Sequence, residues 1–122
     1  MNIKLSFNKL LGNRGEKAAA TYLEKSGYFI LEKNYRVGRR EIDIIAKKND
    51  MTIAIEVKTI TDSGASEKNI PLKAKQAHGL KKALISFCYL KSLSPQKTRL
   101  DLILIIYNKK TDTANLYHYP NV

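Results

Sequence analysis

Residues 40–58 carry two β-rich apolar runs joined by four polar residues, and carboxylates interrupt both runs. The first is Arg40-Glu41-Ile42-Asp43-Ile44-Ile45-Ala46, the second Met51-Thr52-Ile53-Ala54-Ile55-Glu56-Val57-Lys58. Between them Lys47-Lys48-Asn49-Asp50 reads as a turn, because Asn and Asp side chains bond their own backbone. The pattern therefore specifies an antiparallel hairpin. Alternation puts Thr52, Ala54, Glu56 and Lys58 on one face of the second strand. Ile53, Ile55 and Val57 occupy the other, which is predicted to be the better buried. A turn centred on Asn49-Asp50 sets Asp43 opposite Glu56; one centred on Lys48-Asn49 leaves them a diagonal step apart. Either register holds the two carboxylates roughly 5 to 8 Å apart at Cβ. Like charges at that spacing destabilise a hairpin. Lys58 offsets part of the repulsion, and a hard divalent cation with oxygen ligands offsets it better.

The chain has 122 residues, enough for one domain, residues 1–122, with a modest core. Its hydrophobic content of 43% argues against disorder. Lys and Arg number 22 against 11 acids, and the net charge of +11 favours a polyanionic partner, most simply nucleic acid. The plain alternative is a basic soluble domain without a specific partner. Cys88 is the single cysteine, so no internal disulfide can form and a reducing compartment is expected. It falls on an apolar helical face, which suits a small core residue better than a nucleophile. Lys4, Asn8 and Lys9 interrupt the apolar residues of Met1 to Leu11, leaving no signal-peptide core and no membrane-length run. A cytoplasmic protein without membrane contact is the expectation.

Along the chain, Asn13 is placed to cap a helix running to about Ser26, with Gly27 as its stop. Ala19, Ala20 and Leu23 form its apolar face, with Tyr22 beside them. Glu16, three and four positions before the two alanines, leans toward this stripe, where a charge needs a partner. Its place in the first turn is equally explained by the positive end of the helix. Tyr28 to Asn34 reads as a strand, and Asp62 to Pro71 as a loop. A helix from about Leu72 to Lys91 carries Leu72, Leu80, Leu84 and Phe87 on one stripe, with Gln76 among them. Lys73, Lys75, Lys81 and Lys82 lie on its opposite surface, where they form either a track for phosphates or an ordinary solvated face. Arg99 to Tyr107 suggests a strand covered on both faces, and Leu116 to Tyr119 a short final strand. Asp101 is expected to pair structurally with Arg99 or a helix lysine. His78 and His118 lack zinc-ligand spacing. The order α-β-β-β-α-β-β implies an α/β domain with a central mixed sheet flanked by helices.

An acid-x-Lys triplet alone is weak, since chance supplies roughly 1.5 in a chain of this composition and this one has a single case. Its context is stronger. The order Glu16, Asp43, Glu56-x-Lys58 and Gln76 resembles the PD-(D/E)xK nuclease superfamily. Gly12-Asn13-Arg14-Gly15-Glu16-Lys17-Ala18, Asn34-Tyr35-Arg36, Glu41-Ile42-Asp43-Ile44-Ile45-Ala46 and Glu56-Val57-Lys58-Thr59 are more similar still to one family. That family is the YraN-like group of uncharacterised bacterial proteins, predicted endonucleases related to archaeal Holliday-junction resolvases. The similarity runs through Lys75-Gln76 to Arg99-Leu100-Asp101. The chain departs from the family at Arg40, where Gly is common, and at Ile60, where Arg is common.

The resemblance implies a single-domain, restriction-endonuclease-like fold and hydrolysis of DNA phosphodiester bonds leaving a 5′-phosphate, with branched or structured DNA as a candidate substrate. It implies that Asp43, Glu56 and the Val57 carbonyl hold Mg²⁺ or Mn²⁺. Lys58 would orient water or stabilise charge, Glu16 would act through a water or second metal, and Gln76 would support the shell by hydrogen bonding. Arg14, Arg39, Arg40, Lys73 and Lys75 are the candidate nucleic-acid contacts. A junction substrate would suit a homodimer. The alternative is a nuclease-fold module that binds nucleic acid without cutting it; a basic RNA-associated protein is a weaker third reading, with no RNA-recognition signature in the chain.

Overall fold

The computed structural model describes residues 3–6, 14–61 and 73–122. In chain order the elements are β1 (Ile3–Ser6), α1 (Arg14–Lys25), β2 (Phe29–Val37), β3 (Arg40–Lys48), β4 (Met51–Thr61), α2 (Ala74–Leu90), β5 (Thr98–Asn108) and β6 (Thr113–Tyr119). They form one six-stranded sheet in the order β1-β6-β5-β4-β3-β2. Neighbours are antiparallel except β4 and β5, which run parallel with α2 as their crossover. This is the mixed sheet flanked by helices expected from the sequence. The expected order lacked β1, which pairs Ile3 to Ser6 with Leu116 to Thr113. Four residues show no usable periodicity, and only the free edge of β6 gives them a ladder to join. The proposed Asn13 cap, the 62–71 loop and Leu72 lie outside the described residues.

The β3–β4 turn settles the register. Lys48 pairs with Met51, so Asn49-Asp50 is the two-residue loop, and Asn49 takes the left-handed conformation (φ 56°) that such hairpin turns require. Helix α1 ends where Gly27 was expected to stop it. Gly27 (φ 91°) donates its N–H to the Glu24 carbonyl at 3.2 Å and Tyr28 donates to Leu23 at 2.9 Å, the paired bonds of a Schellman cap.

Each helix covers one face of the sheet. Ala19, Ala20, Tyr22 and Leu23 of α1 pack on Ile44, Ile53, Ile55, Ile103 and Ile105. Leu80, Ala83, Leu84 and Phe87 of α2 pack on Ile42, Ile45, Ala54 and Leu100. Burial on β4 is therefore two-sided, contrary to the expectation that the Ile53, Ile55, Val57 face is the better buried. Ala54 is as inaccessible as Ile55, and Val57 is only partly buried. An isolated hairpin has one core face, but α2 supplies the second. Cys88 is buried within α2, and the central residues of β5 are buried on both faces.

Beyond Ile44 and Ile55 the β3–β4 ladder stops. The first half of β3 stays with β2, through Ile42 opposite Tyr35 and Glu41 opposite Arg36. The second half of β4 stays with β5, from Glu56 opposite Leu102 to Thr61 opposite Tyr107. The two strands thus part company at Asp43. Ile42 joins the α2 core and Ile44 the α1 core although they are two residues apart, so the regular alternation of β3 breaks between them. The neighbouring β2 is irregular too, with a register shift between Ile30 and Glu32 and a left-handed Asn34 (φ 52°).

Candidate functional site

The parted strands leave backbone groups of β4 without a ladder partner on β3, and Asp43 fills part of that gap. Its Oδ2 accepts the Val57 N–H at 2.8 Å, a side chain standing where a strand carbonyl would otherwise bond. A strand residue directs its N–H and C=O to the same side, so the Val57 carbonyl faces the same opening. Glu56, only 8% exposed, projects from β4 toward the α2 face, where Gln76 Nε2 donates to its Oε2 at 3.1 Å. Lys58 follows two residues later on that face, partly buried.

Helix α1 delivers Glu16 from the other face. Its start is held close to β4 at Gly15, where a Cβ would stand 2.6 Å from Thr59 Oγ1. Any other residue would push the helix or Thr59 away. Glu16, Glu41 and Asp43 each offer a carboxylate oxygen within 4.8 Å of the other two. Asn34, with its amide nitrogen turned toward them, donates to Glu16 Oε2 at 2.9 Å and Glu41 Oε1 at 3.2 Å.

Four of the 11 acids of a strongly basic chain thus gather at one opening. The electrostatic consequence is large. Burial first, and then Asp43 beside it, push the Glu56 carboxyl up to about 8, although Lys58 and Gln76 pull the other way. Glu16 is raised by burial, by Asp43 and by Glu41, against the opposing hydrogen bond from Asn34. Crowded oxygens that hold protons above their ordinary range are a donor set suited to a hard divalent cation, which would replace those protons.

The structure brings together Glu16, Asp43, Glu56, Lys58 and Gln76, along with Val57. Arg39, Arg40 and Lys75 line a separate groove beside α2, with Arg40 and Lys75 next in sequence to Glu41 and Gln76. Lys73 is exposed immediately before α2, and the Arg14 side chain lies outside the described part. Two site residues went unassigned in the sequence reading: Glu41 and Asn34. Glu41 carried a signal, being two residues before Asp43. Asn34 carried none beyond its place in a recurring motif, because its role depends on a left-handed backbone within β2. Asp101 lies apart, on the α1 face. It is fully buried and takes paired bonds from Arg99 (2.9 and 3.2 Å), a bond from His118 Nε2 (2.8 Å) and one from the Asn121 N–H (3.0 Å). Tyr22 Oη meets His118 Nδ1 at 2.8 Å. This is the structural pairing expected for Asp101, extended to a histidine.

A family profile spanning residues 15–105 matches, and its description is "Uncharacterised protein family UPF0102". The chain belongs to this family. The matched span includes every residue just described at the opening. The UPF0102 chain is 32% identical over 114 residues to a UPF0102 protein of Dictyoglomus turgidum, covering 93% of this chain and 97% of that one. It is 37% identical over 117 residues to one from Clostridium acetobutylicum, covering 93% of each. Among solved structures it is similar to an XisH family protein from Nostoc punctiforme, with a TM-score of 0.44 and 16% identity over 88% of this chain and 98% of that one. A second likeness is to Pyrococcus furiosus SfsA in complex with Ca²⁺, with a TM-score of 0.42 and 14% identity over 93% and 63% of the two chains. Among the described residues, no UPF0102 helix is long and apolar enough to cross a membrane.

Proposed function

We propose that this UPF0102 protein is a divalent-metal-dependent endonuclease that hydrolyses phosphodiester bonds of DNA. The observation that carries the reading is the parted β3–β4 ladder, which aims Asp43, Glu56 and the Val57 carbonyl into one opening beside Lys58. Asp43, Glu56 and the Val57 carbonyl would hold Mg²⁺ or Mn²⁺, which when bound polarises the scissile phosphate and lowers the pKa of a coordinated water. Gln76 holds the Glu56 carboxylate by its hydrogen bond, with Asp43 beside it. Asp43 is fixed in the same sense by the Val57 N–H. Lys58 orients the attacking water and stabilises the negative charge that builds on the phosphate oxygens. Glu16, steadied by Asn34, acts through a water or a second ion. Attack by water forms the new P–O bond as the 3′ oxygen leaves, so the 5′-phosphate remains on the downstream strand.

DNA is the proposed substrate, with branched or structured forms first among candidates. A junction would require a symmetric pair of sites, hence a homodimer, and the single thiol suits a cytoplasmic setting. The test is incubation of purified protein with branched, duplex and single-stranded DNA in Mg²⁺ or Mn²⁺, beside Asp43→Ala and Lys58→Ala. Cleavage by wild type that falls at least 100-fold in both variants is expected. Equal cleavage by all three forms would reveal a contaminant, and no cleavage by wild type would refute the activity. In that last case salt-sensitive binding by wild type and both variants alike would establish the other reading, a nuclease-fold binding module.

A further inference from the structure

A groove of about 440 Å³ runs between the β2–β3 turn and helix α2, lined by Arg39, Arg40, Lys75, His78 and Lys82 over an apolar floor that includes Val37 and Ala83. Among the described residues, no carboxylate lines it. Helical spacing creates one wall, since positions 75, 78, 79, 82 and 86 fall on one stripe of α2. The turn at Gly38 and Arg39 forms the other. Arg40 is exposed, but its guanidinium lies directly against Gly79, where any Cβ would overlap it. A planar, permanently charged fork thereby sits in a groove that also carries Arg39, Lys75 and Lys82, a set suited to phosphate oxygens.

The groove also adjoins the carboxylate opening on both walls. Arg40 precedes Glu41 in β3, and Lys75 precedes Gln76, whose side chain bonds Glu56. Helix α2 runs from that opening toward Ser86, about 16 Å for 11 residues. We infer that this groove is the track that holds the phosphate backbone of one nucleic-acid strand flanking the scissile bond, with Arg39, Arg40, Lys75 and Lys82 as its contacts. The inference rests on the nucleic-acid reading above but not on turnover. Of the four lysines on the outer surface of α2 it takes Lys75 and Lys82 and leaves Lys73 and Lys81 outside the track. It also gives Arg40, a departure from the family's usual glycine, a function.

The experiment measures binding of labelled duplex and single-stranded DNA by fluorescence anisotropy in EDTA, between 50 and 200 mM salt. Arg39→Gln/Lys82→Gln removes two positive charges in the groove. Lys25→Gln/Lys91→Gln removes two at the far ends of α1 and α2. The first pair is expected to lower the slope of log K against log salt by about 1.5 to 2, and the second to leave it unchanged. Gly79→Ala changes no charge and suits a helix, yet must displace Arg40; a loss of affinity of several-fold or more is expected. Equal losses from the two double variants would overturn the track in favour of bulk charge. Wild-type affinity in both Gly79→Ala and Arg39→Gln/Lys82→Gln would overturn it as well. Absence of cleavage with a groove-dependent slope would refute only the nuclease activity.

Discussion

Replacing Glu56 with Gln tests the electrostatic account of the site without relying on catalysis. Glu56 is buried against Asp43, and its carboxyl rises from an ordinary 4.5 to about 8. The folded protein therefore keeps a proton that the unfolded chain releases between those values. Stability falls as pH rises through that window, because the folded state must either hold an unfavourable proton balance or bury a second negative charge. At 1.36 kcal/mol per pKa unit, the full window corresponds to about 3 to 5 kcal/mol, a large part of a small domain's stability. The amide introduced by Glu56→Gln would mimic the protonated carboxyl: neutral, able to donate toward Asp43 and still able to accept from Gln76. The variant is expected to match wild type near pH 5 and to exceed it by on the order of 10 °C or more in Tm near pH 8.5. Thermal unfolding of both proteins in EDTA across pH 5 to 8.5 provides the measurement. Taking the difference between them cancels the titration of groups that the two proteins share. Mg²⁺ or Mn²⁺ at 100 times its Kd should restore about 2.7 kcal/mol to wild type, and little to Glu56→Gln. A wild-type-minus-variant difference that stays flat with pH would refute the crowding argument, and equal metal responses would refute Glu56 as a ligand.

Further outcomes follow from the packing. Gly15→Ala should impair cleavage by displacing α1, and with it Glu16, from β4; adding Thr59→Ala removes the clashing Oγ1 and should restore much of the loss, which a double-mutant cycle on kcat would show. Asp101→Asn should destabilise the fold by about 3 to 5 kcal/mol in denaturant unfolding, since it leaves Arg99 without its buried partner, while metal binding measured by titration stays intact. Burial favours a raised Asp101 pKa, but His118, Arg99 and the Asn121 N–H outweigh it and lower it. The wild-type contribution is therefore present at neutral pH and lost only as pH falls below the ordinary carboxylate range, an acid limb that Asp101→Asn should lack. Leu84→Ala should cost about 2 to 5 kcal/mol by opening a cavity under α2, again read from denaturant unfolding.

Local chemistry made much of this protein legible in its sequence. The hairpin and its Asn49-Asp50 turn follow from β-branched runs and a residue tolerant of left-handed backbone. The end of α1 at Gly27 and the pairing of Asp101 with Arg99 are likewise short-range statements. The order Glu16, Asp43, Glu56, Lys58, Gln76 was readable as a candidate constellation through its resemblance to the PD-(D/E)xK pattern, since the Glu56-x-Lys58 triplet alone is within chance expectation. What the sequence could not show is where the regular patterns stop. Period-two alternation predicts a continuous β3–β4 ladder, whereas β2 and β5 hold the two strands apart beyond Ile44 and Ile55. That separation lets Asp43 reach Glu16 on one side and Glu56 on the other. It also brings in Glu41 and Asn34, whose roles depend on backbone irregularity rather than residue type. The second core face of β4, the β1 edge strand and the seat of Arg40 on Gly79 are decided in the same way, by elements far apart in the chain. Residue pattern determined the strands, the helices and the candidate carboxylates. Competition between neighbouring strands for the same backbone bonds decided the opening that gathers them.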